Sequence, residues 1–544
     1  MIQRNLDRRP ACNLATKFEL QSRQVMKAYF IGGGIGSLAG AAFLIRDAQL
    51  PGRDIVIYEA QPLVGGSLDG AQLANGAYSL RGGRMLTTDH YECTWDLLSD
   101  IPSLERPGLS VRDETVAFNV ENPAHSQARL VDRNRFKVDV SHMGFSARDR
   151  LELLRLTEAS EETLGDSRIT DWLSAGFFES NFWYMWQTTF AFQPWHSAVE
   201  LKRYLHRFMS EFPRIETLAG VKRTVYNQYD SIVRPLADWL KRQGVQFVRG
   251  TRVTDMTLED ENGRVRVRNL VLDRDSRIAN VRLDDGDLVF FQNGSMTDAS
   301  SLGSMTEPAP RLTKADSQGW ALWETIAKGR PEFGNPSAFN TSIPESWWQS
   351  FTVTCRDPRF FDKMEAFSGN RAGTGGLVTF KDSNWLLSVV LYHQPHFSGQ
   401  PKDVQVFWGY ALHPDRIGNF VAKPMSECGG AEILKELCGH LNFDAGVFDN
   451  SICIPCRMPY ITSMFMPRNV TDRPLPVPTN SVNLAFVSQF VEIPEDVVFT
   501  VEYSVRAAQT AVYQLMKVDR PVPPVTRHDK SLSVIFATLE KAFA

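Results

Sequence analysis

The stretch KAYFIGGGIGSLAGAAFLIRDAQLPGRDIVIYEA, from Lys27 to Ala60, is the part of the chain that predicts the fold. Ala28–Ile31 is a short apolar run typical of a buried strand, and it leads into the glycine turn GGGIG. Ser37–Asp47 has the small, apolar residues of a helix packed on a sheet, and Asp54–Tyr58 is typical of a second strand, which ends on Glu59. Strand, glycine turn, helix, strand and acid in this order predict a Rossmann-type unit that binds an adenine dinucleotide.

Each part of this unit has a physical role in holding a dinucleotide. Glycines let the backbone approach a pyrophosphate, and a helix N-terminus offers N–H donors and the positive end of a dipole. Ser37 occupies the third glycine position of G-x-G-x-x-G, where a small residue still permits close packing. Glu59 favours a free ribose hydroxyl, and so FAD or NAD over NADP. The predicted contacts here are Gly32, Gly34, Ile35, Gly36, Ser37, Glu59 and Ala60.

Two further glycine-rich loops make a flavin the favoured cofactor. Gly65–Gly70 and Arg81–Arg84 follow soon after the first unit, and they combine close backbone approach with arginines that offset phosphate charge. By analogy with two-lobed flavoproteins, the chain returns to the cofactor at Val253, at the turn Asn293–Ser295 and at Phe490. We therefore predict FAD, with further contacts at Gly66, Ser67, Arg81, Gly82, Gly83, Arg84, Val253, Asn293, Gly294, Ser295 and Phe490.

Length and composition limit the remaining possibilities. At about 150 residues per domain, the chain is long enough for two to four domains. Its 59 basic and 63 acidic residues give a net charge of −4, so we expect no nucleic acid partner. Seven scattered cysteines favour a reducing compartment, and residues 1–26 lack the apolar core of a secretory signal, which predicts a cytoplasmic protein. The sequence leaves monomer and homodimer open.

Two short motifs have the residue spacing of a redox site or a metal site but lack the surroundings that such a site needs. Cys453 and Cys456 are spaced like a redox pair without the βαβ setting, so buried thiols before a turn are the favoured interpretation. His393 and His396 are spaced like metal ligands, but no third ligand stands at a matching spacing. We predict no metal site.

The order of motifs along the chain resembles a known family. The motifs are GGGIGSLAGAAFL, YEAQPLVGGSLDGA, RGGR followed by HYECTWDLLSDIPSLE, then YNQYDS, VFFQNGSMTD, HQPHF and PYITSMFMPR. This set, from about Lys27 to Ala508, is similar to the FAD-dependent fatty acid hydratases, the oleate hydratase or myosin-cross-reactive antigen family. The resemblance implies an α/β, two-lobed FAD-binding (Rossmann-type) flavoprotein with a substrate domain and a largely helical lid and C-terminal region.

This resemblance and the chain's own patterns give a domain plan. We expect an N-terminal extension over 1–26, the FAD-binding domain over 27–135, 226–300 and 471–515, a helical and aromatic substrate-tunnel region over 136–225, a substrate-binding domain over 301–470 and a C-terminal tail or helix over 516–544. The aromatic run 172–195 fits both a helical core and the wall of an apolar tunnel. Leu532–Phe543 is a candidate amphipathic helix, either docked on the body, which we favour, or in peripheral contact with a membrane surface.

The resemblance implies a reaction and two catalytic positions. Members of the family add water to the cis-9 double bond of unsaturated fatty acids such as oleate, giving 10-hydroxy acids, while FAD undergoes no net redox change. Tyr204 matches the family's general acid, which protonates the double bond. Met85 stands where the family has a glutamate that activates water, and methionine accepts no proton. Asp89 and Glu92 are weak candidates to replace it.

Four residues are implied on the substrate side. Gln228 and Thr462 lie in motifs near the bound substrate, and His396 is suited to a charge-assisted hydrogen bond with the fatty acid carboxylate. Where the family commonly has Thr-x-Asn, this chain has Val390-Leu391-Tyr392, which puts Tyr392 at the carboxylate anchor.

Two other functions remain open at this stage. One is a flavin-dependent oxidase or dehydrogenase acting on a fatty acid or polyene, which would consume oxygen or another electron acceptor. The other is a lipid-binding flavoprotein that has lost catalysis, which the methionine at position 85 makes credible.

Overall fold

The computed structural model describes residues 26–83 and 85–543, which fold around two sheets. The strands are β1 (Ala28–Ile31), β2 (Ile55–Glu59), β3 (Gly70–Gln72), β4 (Tyr78–Leu80), β5 (Leu86–Thr87), β6 (Leu130–Val131), β7 (Val221–Lys222), β8 (Gln246–Arg249), β9 (Arg252–Glu261), β10 (Arg264–Arg274), β11 (Arg277–Arg282), β12 (Leu288–Phe291), β13 (Ser301–Leu302), β14 (Trp348–Cys355), β15 (Val378–Phe380), β16 (Leu387–Leu391), β17 (Gln405–Ala411), β18 (Ser451–Met458) and β19 (Leu484–Phe486). The α-helices are α1 (Ile35–Arg46), α2 (Glu92–Leu98), α3 (Val111–Glu121), α4 (Ala147–Glu158), α5 (Glu161–Leu164), α6 (Asn181–Phe190), α7 (Ala198–Arg207), α8 (Arg234–Arg242), α9 (Ala321–Ala327), α10 (Ser337–Asn340), α11 (Ile343–Ser346), α12 (Arg359–Ser368), α13 (Gly430–Leu441), α14 (Val501–Met516) and α15 (Leu532–Phe543).

The first sheet is parallel and has the strand order β19-β12-β1-β2-β8. Because successive side chains of a strand point to opposite faces, Ala28 and Phe30 pack with helices α1, α8 and α14, whereas Tyr29 and Ile31 pack toward the antiparallel β9–β11 meander. A parallel strand that is buried on both faces needs a continuous run of apolar residues, and the four residues of β1 form such a run. The predicted Rossmann unit is confirmed.

The glycine turn after β1 fixes how α1 leaves the sheet. Gly32 has a φ of +90°, a conformation that glycine adopts without strain. Helix α1 begins at Ile35, two residues before the predicted start, with Gly34 as its N-cap. A Cβ on Gly36 would overlap the Val487 carbonyl, so this glycine allows α1 to pack closely on the chain after β19.

The second sheet is larger and almost entirely antiparallel, with the order β13-β18-β14-β17-β16-β15-β6. Helices α12 and α13 cover one face, and the other face turns toward the first sheet. Strand β4 joins the lobes, because the Tyr78 and Leu80 N–H groups donate to the hydroxyls of Thr354 and Thr352 on β14. The α/β fold with two separate large sheets therefore agrees with the expected fold class.

The CxxC pair lies inside β18, not before a turn as predicted. Cys453 and Cys456 are both buried, and their odd spacing sends the two thiols to opposite faces of the strand. Burial raises the pKa of the Cys456 thiol to about 12, so it carries no thiolate at neutral pH.

A helical region, α4 to α7, lies between the two sheets and the C-terminal helix. The aromatic run contributes Phe177, Phe182 and Trp183 to its core, all of them almost fully buried. Helix α15 has the predicted bounds and docks here, where Lys541 forms an ion pair with Glu216 at 2.6 Å. No helix of the described ranges is both long enough and apolar enough to cross a membrane. The predicted N-terminal extension falls almost entirely outside the residues that the structure describes.

Candidate active site

Two joined cavities lie at the carboxyl ends of the parallel strands. The larger, of about 540 Å³, follows the glycine turn and the end of β2, and we call it the cofactor cleft. The smaller, of about 150 Å³, lies between the first sheet and the helical region, and we call it the inner cavity. Gly66, Gln292 and Gly294 line both, so the two spaces are continuous. A ligand bound across the sheet edge would therefore reach the inner cavity.

Most residues predicted to hold the cofactor line these spaces. Those of the cofactor cleft are Gly32, Gly34, Glu59, Ala60, Gly66, Arg81, Val253, Gly294 and Ser295. Those of the inner cavity include Ile35, Ser67, Gly83 and Phe490. Gly36, Ser37 and Asn293 lie behind the wall, where Ser37 Oγ donates to Gln292 Oε1 and Asn293 Nδ2 to the Phe490 carbonyl. Gly82 lines the neighbouring spaces described below, and Arg84 falls outside the described residues.

The groups along the cleft fit FAD. Glu59 is half-buried at the end of β2 and accepts the Gly33 N–H at 2.7 Å, so its carboxylate lies beside the glycine turn, where a ribose is expected. A Cβ on Gly34 would overlap the Gln292 amide, so glycine at this position lets the Gln292 side chain lie against the turn. Arg81 donates to Asp69 at 2.7 Å, so its charge is already shared with a carboxylate. Sequence reasoning did not select Gln292.

The inner cavity has apolar walls from the helical region. Trp186, Phe190 and Phe208 line it together with Ile215 and Leu218. The aromatic run thus serves both expected purposes, because its other members form core. The N-terminus of α14 closes the cleft side through Thr500, Val501 and Ser504.

Tyr204 lines the inner cavity from α7, with 1% of its surface exposed. Its Oη donates to the Val498 carbonyl at 2.5 Å, and its ring is held edge-on by Phe190 and Phe192. Burial raises the pKa of the phenol well above its usual value. The group is therefore fully protonated at neutral pH, as a proton donor must be.

Met85 also lines the inner cavity, where it packs against Ala124, Leu218 and Val221. Neither proposed replacement for the missing glutamate lines this space. Glu92 is held by Arg207 and Arg506 at 2.7 and 2.9 Å; the Arg207 guanidinium outweighs burial and lowers the pKa of Glu92 to about 2. Asp89 is exposed, with its Oδ2 4.0 Å from Arg214.

Glu211 is the one carboxylate among the described residues that line the inner cavity. Arg214 donates to its two oxygens at 2.5 and 2.8 Å, which holds the carboxylate in place. A Cβ on Gly220 would overlap Glu211, so the glycine leaves the space that this side chain occupies. Sequence reasoning missed Glu211 because nothing in its local pattern indicates a site.

Two narrow spaces continue beyond Met85. The connecting cavity is lined by Gly83, Met85, Arg223 and Tyr392 among others, and the end pocket by Gly82, Arg223, Gln228, Tyr392 and His396 among others. The Tyr392 and His396 rings stack with their centroids 3.8 Å apart. Burial, together with the charge of Arg223, lowers the pKa of His396 to about 3. Without a bound anion, the imidazole is therefore neutral at pH 7 and offers a neutral N–H donor to the pocket. Three of the four predicted substrate residues, Gln228, Tyr392 and His396, meet in the end pocket.

Thr462, the fourth, lies apart from these spaces. It is buried, and its hydroxyl and N–H both donate to the Ser346 carbonyl at 2.9 Å. These bonds fasten the segment after β18 to α11, and the predicted substrate contact of Thr462 stays a prediction.

Comparison with known proteins identifies the family of the chain. A sequence model of the MCRA family matches residues 25–513. The chain belongs to the MCRA family. An oleate hydratase of Streptococcus pyogenes serotype M49 is 39% identical, over 91% of this chain and 86% of that protein. A linoleate hydratase of Lactiplantibacillus plantarum is 32% identical, over 95% and 98%.

Among solved structures, a putrescine oxidase superposes with a TM-score of 0.53 over 90% of this chain and 99% of that one. At 12% identity this likeness concerns the fold alone. The family match confirms the resemblance read from the order of motifs, and the structural likeness confirms the two-lobed α/β fold class.

As an MCRA family protein, this chain shows two departures from the expected site pattern. Met85 replaces the expected glutamate, and Glu211 brings a carboxylate to the same cavity from another element. Val390 and Tyr392 replace the expected Thr-x-Asn, and Arg223 lies beside Tyr392 in both narrow spaces. In each case the charged residue that lines the same space is distant in sequence.

Proposed function

We propose that this protein is a fatty acid hydratase that adds water to the cis-9 double bond of oleate and related unsaturated fatty acids, giving 10-hydroxy acids. One observation carries the proposal: the buried, protonated Tyr204 phenol faces an apolar cavity that is continuous with the cofactor cleft. Membership of the MCRA family and the activities named for the two bacterial relatives support it.

The reaction needs a proton donor, a dry site and an ordered water. Tyr204 gives its proton to C9 of the double bond, and water oxygen forms a bond to C10. The π bond and one O–H bond of water are broken, one C–H and one C–O bond are formed, and no electrons leave the substrate. Trp186, Phe190 and Phe208 exclude bulk water, which would otherwise compete with the double bond for the proton. When FAD is bound in the cleft that Glu59 and the glycine turn form, it would supply electrostatic stabilisation without net redox change.

We assign Glu211 as the base that orients the attacking water and receives its proton. Its carboxylate lines the same cavity as Tyr204, and a carboxylate accepts a proton where Met85 cannot. Arg214 fixes the direction of the carboxylate. The proton returns to Tyr204 through solvent after the product leaves, so the chain ends the cycle unchanged.

Incubation of the FAD-loaded protein with oleate in water labelled with oxygen-18 tests the activity. We expect a labelled 10-hydroxy acid by mass spectrometry. Tyr204→Phe should lower the rate by about 10²- to 10⁴-fold while the flavin stays bound, because only the donated proton is lost. Tyr184→Phe, on the aromatic helix α6 but outside the cavity, is the matched control and should keep its rate. Oxygen consumption without labelled product would replace the hydratase proposal with an oxidase.

We also propose that the protein meets its lipid substrate through peripheral contact with a membrane. Leu532, Phe536, Leu539 and Phe543 of α15 are 71, 68, 47 and 66% exposed. At about 100° per residue these four side chains form one stripe along the helix. The opposite side of α15 is docked, with the Thr538 hydroxyl donating to the Met209 carbonyl, so the stripe points outward. An apolar stripe of this kind suits a lipid surface.

A further inference from the structure

Arg223 is a half-buried cation without a counterion among the described residues. Its main chain is locked to Asn119, whose side-chain oxygen accepts the Arg223 N–H at 2.9 Å and whose Nδ2 donates to the Arg223 carbonyl at 2.7 Å. Its Nη2 donates to the Gly375 carbonyl at 2.6 Å. The Nε atom is buried and makes no hydrogen bond, and no described carboxylate pairs with the guanidinium. A guanidinium that is partly withdrawn from water and has an unpaired Nε is costly unless a ligand completes its hydrogen bonds.

The six most deeply buried arginines differ in this respect. Arg203, Arg207, Arg468, Arg473 and Arg506 all form ion pairs with glutamate or aspartate. Arg129 lacks a carboxylate, but its guanidinium donates to the carbonyls of Leu377, Ile215 and Met185 and to the Thr189 hydroxyl. Arg223 alone among these seven has neither an ion pair nor a full set of acceptors.

Arg223 also lies where a path from the reacting centre ends. The connecting cavity shares Gly83, Met85 and Thr189 with the inner cavity, and it shares Arg223 and Tyr392 with the end pocket. An alkyl chain whose double bond lies near Tyr204 can therefore extend past Met85 to the guanidinium. Val390, Trp408 and Leu377 give this passage apolar walls.

The end pocket around Arg223 contains neutral polar groups. The imidazole of His396 is uncharged, and the Gln228 Oε1 atom is buried without a hydrogen-bond partner. An amide whose oxygen is unsatisfied gains by turning its NH₂ group toward an incoming anion. Asp69 also lines the pocket, but Arg81 donates to both of its carboxylate oxygens at 2.7 and 2.8 Å, so Arg223 and the neutral groups are left to bind a second carboxylate.

We propose that Arg223 holds the carboxylate of the fatty acid in this protein, in the place left by the missing Thr-x-Asn pattern. This inference rests on the proposed hydratase function for the identity of the ligand. It predicts that the protein selects free acids over the corresponding alcohols. Because the carboxylate end would be fixed at Arg223, the same contact would set which carbon of the chain lies beside Tyr204.

The test is calorimetric binding of oleate and of oleyl alcohol, each delivered from cyclodextrin, to the FAD-loaded protein. Arg223→Gln should weaken oleate binding by about 10- to 100-fold, the loss expected for a hydrogen-bonded charge, and change oleyl alcohol binding by less than about threefold. Arg223→Lys should recover part of the oleate affinity. Lys222→Gln removes the neighbouring charge on β7, outside both narrow spaces, and should leave both affinities unchanged.

Several results would overturn the assignment. Equal weakening of acid and alcohol would mean that Arg223 supports the pocket without recognising a carboxylate. Loss of flavin absorbance in Arg223→Gln would mean that the cofactor is its partner. Failure of the wild-type protein to prefer oleate over oleyl alcohol would also refute the assignment. Binding requires no turnover, so a protein that binds oleate through Arg223 without hydrating it would refute the hydratase proposal and retain this one.

Discussion

At the level of single residues, substitutions of Glu211 and Met85 test which side chain accepts the proton of the attacking water. If Glu211 receives the proton of the attacking water, Glu211→Gln should lower kcat for oleate hydration by about 100-fold or more, because the amide orders water but accepts no proton. Adding Met85→Glu to this variant should restore part of kcat, since position 85 lines the same cavity. Formation of labelled 10-hydroxy acid measures both effects.

The control for this prediction is Asp89→Asn. Asp89 is exposed and outside the inner cavity, so its loss should leave kcat near the wild-type value. Near-normal kcat in Glu211→Gln would contradict the assignment of the base. Flavin absorbance and the melting temperature must match the wild type for either result to count, because Glu211 also binds Arg214.

Residue roles were predictable from sequence only where a motif marked them. Tyr204 was named through the family resemblance and most glycine contacts through local patterns, and the structure puts them on the cavities. Glu211 and Arg223 were missed because their significance lies in neighbours far along the chain. Glu211 depends on the space at Gly220, and Arg223 on its isolation from every described carboxylate. An absent partner leaves no signature in a sequence.

Helix α15 is the element whose outer face can be tested alone. Phe536→Ser combined with Phe543→Ser should lower the fraction of protein bound to phosphatidylcholine vesicles by at least about tenfold, because each buried aromatic ring contributes about 1.5–3 kcal/mol to partitioning. Hydration of oleate presented in detergent should change little, since neither residue lines a cavity. Vesicle flotation measures the binding.

The matched control removes equally exposed apolar residues from another helix. Val116 and Val120 of α3 are 53 and 77% exposed, and their replacement by serine should leave vesicle binding unchanged. Equal loss in both double variants would show that general surface hydrophobicity, and not α15, governs binding. A wild-type dimer that the α15 variant converts to monomer in sedimentation would assign the stripe to a second copy of the chain.

Elements with strong local patterns were predicted well, whereas their partners were not. The predicted helix at 532–543 has the observed bounds, and the strand predicted at 54–58 is shifted by one residue. The order of the second sheet could not be predicted, because β6 pairs with β15 about 250 residues later. Local propensity carries no information about such pairings, which are decided by which apolar faces can be buried together.

At the scale of the whole molecule, three histidines link folding to pH. His90, His196 and His396 are buried, and burial lowers the pKa of each to about 3. In the unfolded chain each has a pKa of about 6.5. Between these two values the unfolded state binds more protons than the folded state, so acid favours unfolding. The stability from neutral burial is complete above about pH 6.5 and is lost as the pH falls toward 3.

We therefore expect the free energy of unfolding to fall on acidification, with each histidine contributing up to about 1.4 kcal/mol per pH unit below pH 6. Thermal or denaturant unfolding at pH 7.5, 6.5 and 5.5 would show a decrease in the free energy of unfolding that begins between the last two values.

His196→Asn should reduce the slope of this free energy against pH by about one proton. Asparagine does not titrate, and its side-chain oxygen can still accept the Gln193 N–H that His196 Nδ1 accepts at 3.0 Å. His125→Asn, at an exposed position, should leave the slope unchanged. A free energy of unfolding that is constant from pH 7.5 to 5.5 would mean that these histidines can be protonated in the folded protein. The interior around His396 would then be more open to water than its packing against Tyr392 indicates.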